Sequence, residues 1–205
     1  MKSFLLMATM AASFVLGLSN DAFAQRPANV VDFVTRSGGE FDRNPFDYDI
    51  LVTAVLAADS ASEIELVKAL TNPDANLTLF APNDLGFIRT ARDLGYRGFS
   101  EKGAWEFLVA ALTDIGGGDP FPTLTNILLY HVSPKPVSSL GLINRTLRGK
   151  KIPTLLEGVK IRPRFLTLID QDPQIRNPRV TVPFDVRTRN GRVHTIQRVL
   201  IPVNL

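Results

Sequence analysis

The spacing of apolar residues changes about halfway along this 205-residue chain, and this change constrains the fold more than any other feature. From Tyr48 onward, apolar side chains recur at three- and four-residue steps, which predicts amphipathic helices. The first such set is Ile50, Leu51, Ala54, Val55 and Ala58. Beyond Val132, apolar and polar side chains alternate, as over residues 180–186, and this predicts strands. We therefore expect an α+β fold, in which helices of the first half pack on a mixed β-sheet or sandwich formed mainly by the second half.

Local signals place a strand in the helical half and a hairpin near the C-terminal end. The apolar run 77–81 ends at Pro82, which predicts a short buried strand. Asn83 or Asp84 is suited to cap the helix that follows. The pair Asn190-Gly191 predicts a two-residue hairpin loop.

The N-terminal residues predict export. A positive start at Lys2, an apolar run over residues 4–18 and an Ala-Phe-Ala pattern ending at Ala24 are typical of a signal peptide cleaved after Ala24. The apolar run is shorter than the roughly 20 residues that a membrane-spanning helix needs. We expect a secreted or periplasmic protein with no transmembrane segment. The expected organisation is a signal peptide (1–24), an N-terminal extension that packs at most partly (25–47) and one domain (48–203).

Charge is divided unequally between the two halves of the expected mature chain. Residues 25–119 carry 15 acidic and 8 basic side chains, whereas residues 120–205 carry 4 acidic and 14 basic ones. Two alternatives follow: the charges compensate one another across the fold, or basic strands share a face that attracts polyanions. The candidate polyanion-binding residues are Arg145, Arg148, Lys150, Lys151, Lys160, Arg162 and Arg164.

The last three of these basic residues occupy alternate positions, which places them on one face of a predicted strand. Pro163 lies between two of them and predicts that this strand is at a sheet edge. The chain contains no cysteine, so disulfides, thiol catalysis and thiolate metal sites are excluded.

Three separated stretches contain the most specific motifs of the chain: Thr78–Phe87, Leu128–Val132 and Asn190–Pro202. In this order and at these distances, they resemble the three motifs of the fasciclin (beta-ig-h3) domain. One departure is Gln197, which stands where the family usually has aspartate. The motif residues to which we assign a structural role are Thr78, Phe80, Pro82, Asp84, Phe87, Tyr130, His131, Asn190, Gly191 and His194.

The resemblance implies a compact α+β domain of the kind used in extracellular adhesion and matrix interaction, with no general catalytic activity. We expect an exported, non-enzymatic protein that binds a cell-surface or matrix protein or an anionic polysaccharide, without a cofactor and without nucleic acid. The alternative is a soluble carrier of an extended apolar ligand such as a carotenoid. In that case a groove beside the first-motif helix, with Val30, Val31 and Phe33, would hold the ligand.

The chain has two histidines, and an enzyme would use His131 as a general base with Tyr130 as an acid. The sequence supplies no G-x-S-x-G nucleophile for them. We therefore expect both side chains to be buried, with His131 bonded to Asp84 or Thr78 near the first motif. A simple two-residue hairpin loop would set His194 opposite Arg187, whereas a G1 bulge would move it by one place, so the sequence does not fix the direction in which His194 faces. No catalytic residue and no metal ligand is predicted.

Overall fold

The computed structural model describes residues 26–37 and 39–203. The predicted signal peptide and its cleavage site lie outside these ranges. The described helices are α1 (Val30–Thr35), α2 (Asp49–Ala61), α3 (Leu66–Thr71), α4 (Asp84–Asp93), α5 (Glu101–Ile115), α6 (Phe121–Tyr130) and α7 (Ser139–Leu147). The described strands are β1 (Leu77–Pro82), β2 (Val132–Ser133), β3 (Ile152–Pro153), β4 (Lys160–Arg164), β5 (Thr167–Ile169), β6 (Val180–Arg187) and β7 (Gly191–Ile196). Over these ranges, no helix combines the length and apolar character that crossing a bilayer requires.

The strands form two sheets. The larger has the order β2-β1-β7-β6, in which β1 runs parallel to β7 and the other pairs are antiparallel. The smaller has the order β3-β4-β5 and is antiparallel throughout. Helices therefore accompany a mixed sheet, which confirms the predicted α+β class.

The first motif forms the central strand and the helix after it. All six residues of β1 are buried, as the apolar run predicts. The side chain of Asn83 accepts a hydrogen bond from the backbone N–H of Gly86, so Asn83 is the N-cap of α4. Gly86 approaches the end of β7 so closely that a Cβ atom there would lie 3.0 Å from the carbonyl oxygen of Ile196.

The core lies on both faces of β1, because successive side chains of a strand point to opposite faces. Leu79 belongs to the main cluster, which the helices α1 to α6 cover. Phe80 belongs to a second cluster, in which it meets Tyr130 and the inner face of the small sheet, including Ile161 and Leu168.

The described part of the N-terminal extension is packed more fully than expected. Val30 of α1 is completely buried, and its backbone N–H donates to Oδ1 of Asn190 at 3.0 Å. The backbone N–H of Arg189 donates to the carbonyl of Pro27 at 3.1 Å. Residues 26–35 thus form part of the folded unit.

The predicted position of the hairpin loop is wrong by one residue. The backbone N–H of Thr188 donates to the carbonyl of Gly191, so the central loop residues are Arg189 and Asn190. Gly191 instead begins β7, where a Cβ atom would lie 2.3 Å from the carbonyl oxygen of Leu77. This close approach of two strands explains the glycine.

Strands β4 and β6 also differ from expectation. The strand β4 is the centre of its sheet, not an edge; Pro163 is tolerated because β3 pairs only with Lys160 and Ile161 and ends before reaching it. In β6 the apolar alternation does not mark one buried face, since Val182 is 73% and Phe184 43% exposed. The register of β6 on β7 shifts between residues 181 and 186, which turns these side chains outward.

We expect Asn190→Ala to destabilise the fold strongly. The Asn190 side chain donates to the carbonyls of Leu70 and Asn72, and accepts from Val30 N–H and the Thr188 hydroxyl. Its loss should lower the free energy of unfolding by about 3 kcal/mol, since three of these four bonds are buried and each buried hydrogen bond contributes about 1 kcal/mol. Urea unfolding measures the change. The control Asn144→Ala, at an exposed position of α7, should change it by less than about 0.5 kcal/mol; equal effects would contradict the assignment.

Candidate functional site

His131 and Tyr130 are inaccessible, with 2% and 0% of their surface exposed. Nδ1 of His131 donates to the carbonyl of Ile127 at 2.7 Å, and Nε2 accepts from the backbone N–H of Leu200 at 2.9 Å. The imidazole therefore joins the end of α6 to the chain that follows β7. Its predicted partners, Asp84 and Thr78, are wrong: only the carbonyl of His131 reaches the first motif, where it accepts from Phe80 N–H at 2.9 Å.

The protonation states of this pair do not suit acid–base catalysis near neutral pH. Burial lowers the pKa of His131 to about 4, although the bond to Ile127 opposes this. Burial also raises the pKa of Tyr130 to about 12. Neither group exchanges a proton readily at pH 7, and neither faces solvent.

His194 lies on the face of the large sheet that carries Phe80 and the second core cluster. Its ring stacks on Phe80 with centroids 5.6 Å apart, and Nε2 donates to the carbonyl of Val137 at 2.7 Å. Of the two positions that the sequence leaves open, the one opposite Arg187 does not occur, because Arg187 pairs with Arg192. Nδ1 of His194 instead faces the backbone N–H of Asp185 at 3.4 Å. Among the described residues, neither histidine belongs to a cluster of three metal-ligating side chains.

The other motif residues also hold backbone segments together. The Thr78 hydroxyl donates to the carbonyl of Lys135 and accepts from Val137 N–H, both at 2.8 Å. The Asp84 carboxylate accepts from the backbone N–H groups of Asp49 and Ile50 at the start of α2. The remaining members, which pack in the core or line its strands, are Phe80, Pro82, Phe87, Asn190 and Gly191. The motif residues therefore hold the elements of the fold together.

The exposed cationic surface lies on the small sheet and beside α7. Along β4, Lys160, Arg162 and Arg164 are exposed, whereas the two residues between them are buried, as the alternation predicts. Each of these three cations is free of ion pairs within the described residues.

The basic residues before β3 join the same surface. Nη1 of Arg145 donates to the carbonyl of Lys151 at 3.1 Å, which ties α7 to the start of the small sheet. In the antiparallel register of β3 and β4, Ile152 pairs with Ile161, so Lys151 stands beside Arg162. Arg148 and Lys150 are exposed in the turn that connects α7 to β3. We call the seven predicted residues together the basic face.

A depression of about 610 Å³ adjoins the basic face. Its lining includes Arg164, Arg179, Thr167 and Asn177, and no carboxylate. Arg179 was not predicted from the sequence, because it lies 15 positions beyond Arg164 and only the bridge between Thr167 and Arg179 brings the two together. Two guanidinium groups with a hydroxyl and an amide are suited to bind sulfate or carboxylate groups.

The fasciclin domain family model matches residues 51–202. The chain belongs to this family. The fold is similar to that of a FAS1 domain pair from the insect cell adhesion molecule Fasciclin I, with a TM-score of 0.56 and 19% sequence identity. The match covers 86% of this chain and 51% of the domain pair, so the chain spans about half of that structure. A search of curated proteins finds no match.

The buried, neutral state of His131 in this fasciclin domain predicts a pH dependence of stability. Its folded pKa of about 4 lies below the ordinary value of 6.5, so unfolding takes up a proton below pH 6.5. The contribution is therefore complete above pH 6.5 and is lost as the pH falls toward 4. His131→Gln cannot take up this proton, so its unfolding free energy should fall less steeply by up to about 1.4 kcal/mol per pH unit. Urea unfolding at several pH values measures both slopes, and equal slopes would contradict the assignment.

Proposed function

We propose that this fasciclin protein is exported, non-enzymatic, and binds an anionic polysaccharide of a cell surface or matrix through the basic face. The observation that carries the proposal is the row of exposed cations along β4, with Lys151 beside Arg162; no residue of the basic face pairs with a carboxylate in the described part of the chain. Between positions 120 and 169 the sequence has 1 acidic residue, Glu157. Asp170 follows β5 directly, but its Oδ2 accepts from the backbone N–H of Ile201 and no basic side chain of the described residues pairs with it.

The arrangement favours a repeating polyanion over a single small anion. Alternate residues of a strand are about 7 Å apart, so Lys160, Arg162 and Arg164 present three charges along roughly 13 Å. Sulfate and uronate groups recur along a polysaccharide chain and can contact several of these side chains at once. Arginine suits such groups because its guanidinium binds them in a bidentate manner.

Two further features support an extracellular role. The leader ending at Ala24 predicts export, and fasciclin domains are typically extracellular. The similar domain pair comes from a cell adhesion molecule. Adhesion through a surface, without a reaction, is consistent with the buried and neutral state of His131.

An apolar pocket favours a second candidate, the carrier of an extended apolar ligand. The pocket lies beneath α1, where Val31 and Val34 face Leu51, Leu79 and other apolar residues. Its volume is about 100 Å³, whereas sites for ligands of drug size have roughly 300–1,000 Å³. A carotenoid would therefore require α1 to move away. Visible absorption of protein purified from its own source, and uptake of an apolar fluorescent probe, test this candidate.

We expect the triple variant Lys160→Ala, Arg162→Ala, Arg164→Ala to bind heparin about tenfold more weakly at about 150 mM salt. Each exposed ion pair contributes roughly 0.5 kcal/mol, so three together account for a factor of about ten. Affinity of the unmodified protein should also fall steeply with added salt. Surface plasmon resonance on immobilised heparin at two salt concentrations measures both effects.

The matched control replaces Arg43, Arg97 and Lys135 by alanine. These three side chains are exposed and lie outside the basic face, and their loss changes the net charge equally. The control should keep nearly full affinity. If both triple variants lose affinity to the same extent, binding reflects overall charge and the proposed site is wrong.

A further inference from the structure

Five carboxylates converge where three helices begin. Asp49, Asp84 and Glu101 are the first residues of α2, α4 and α5. Asp42 and Asp47 come from the segment that leads into α2. Four of the five are buried, and Asp42 is exposed. The cluster therefore has one side open to solvent.

The carboxylates are close enough to share a cation. Oxygen atoms of Asp42, Asp49 and Glu101 lie within 4.8 Å of one another, and so do those of Asp47, Asp49 and Asp84. Asp49 belongs to both groups. Within residues 26–37 and 39–203, none of the five forms an ion pair with a lysine, arginine or histidine. Side-chain cations thus do not neutralise the cluster.

Asp49 is the member whose environment points to a ligand. It is 1% exposed, and neither of its carboxylate oxygens has a hydrogen-bond partner among the described residues. Oδ1 of Asp47 is likewise unpartnered. By contrast, Asp84 accepts two backbone N–H groups, and Oε2 of Glu101 accepts the N–H of Asp42 at 2.8 Å. Buried carboxylates without such partners are normally paired with a cation or bound to a metal.

The positive ends of three helix dipoles favour negative charge here, but only in part. A helix N-terminus acts as roughly half a positive charge, and its effect is local to the first turn. Backbone N–H groups are directed at Asp84 and Glu101, whereas the N–H of Gly39 lies near Asp49 without meeting the geometry of a hydrogen bond to either oxygen. The carboxylate at the centre of the cluster remains the least compensated.

We propose that Asp42, Asp49 and Glu101 bind one Ca²⁺ ion, with the carboxyl groups of Asp47 and Asp84 lying behind it. An all-oxygen donor set suits a hard cation. Calcium binds oxygens at about 2.3–2.6 Å, so oxygens on opposite sides of the ion lie up to roughly 5 Å apart. The observed separations fit that span. Mg²⁺ requires a tighter octahedron and retains its water molecules.

Such an ion would fasten the segment before α2 to the starts of α2 and α5. It would therefore stabilise the domain itself, independently of the polysaccharide proposal. The sequence alone does not predict the site, because its ligands come from positions 42, 49 and 101, with no calcium-loop spacing.

Thermal unfolding and calorimetric titration of the purified protein with CaCl₂ test the inference. We expect saturable binding of one ion with a Kd on the order of 0.1 mM, as in extracellular calcium modules. Relative to EDTA, about 2 mM CaCl₂ should raise Tm by about 5 °C. The same concentration of MgCl₂ should raise it less. An equal or larger shift with Mg²⁺ would overturn the assignment to calcium.

Two conservative variants and one control decide the site. Asp49→Asn and Glu101→Gln should each weaken Ca²⁺ binding at least tenfold and reduce the calcium-dependent shift of Tm. Asp74→Asn, at an exposed position outside the cluster, should retain both. The competing explanation is neutralisation by protons, since burial and then the neighbouring carboxyl of Asp47 raise the pKa of Asp49 to about 6, despite the nearby N–H of Gly39. If calorimetry shows no saturable heat of Ca²⁺ binding and Tm is equal in Ca²⁺ and EDTA, protons neutralise the cluster and the calcium proposal is wrong.

Discussion

The parallel pairing of β1 with β7 is the interaction on which the rest of the structure depends. Six consecutive residue pairs join the strands, from Leu77 with Gly191 to Pro82 with Ile196. A parallel pair requires a long connection, and here the intervening chain supplies four helices and the entire small sheet. The two strands bury both faces of their part of the sheet, so α2 and α6 pack on one side and the second core cluster fills the other. Closing this pair therefore assembles the domain.

The buried polar side chains satisfy backbone groups that the sheets leave unpaired. Where a strand ends and the chain turns, no ladder partner is available, and an unpaired buried backbone group is costly. The His131 ring accepts from the backbone N–H of Leu200, and the Thr78 hydroxyl accepts from that of Val137. The Asn190 side chain accepts from the backbone N–H of Val30 and donates to the carbonyl of Leu70. Each bond joins segments far apart in sequence. His131 and Tyr130, which could be read as catalytic residues from the sequence, are thus buried residues of the fold. The ring of His131 connects α6 to the chain that follows β7.

Local sequence patterns predict the secondary-structure elements well. They predict contacts between residues that are far apart in the sequence less well. The buried run of β1, the Asn83 cap and the alternation of β4 are properties of a few adjacent residues, and the structure confirms them. The loop at Asn190 shifts by one residue because the fold requires a glycine beside Leu77. Similarly, Arg179 lies beside Arg164 of the basic face because the chain around Arg179 forms a β-bridge with Thr167. Such juxtapositions depend on the register between strands, which no single stretch of sequence specifies.

The charge asymmetry of the sequence persists in the folded domain. Most described ion pairs of lysine or arginine lie within one half of the chain, and Arg198 with Asp93 is the one that joins the halves. Most acidic side chains of the first half are exposed, but Asp47, Asp49, Asp84 and Glu101 are buried near helix N-termini and form no ion pair within the described residues. The cations of β4 extend from the outer face of a different sheet. The proposed cation site and the proposed anion-binding face therefore lie in different parts of the domain, so the two proposed ligands do not compete for one surface.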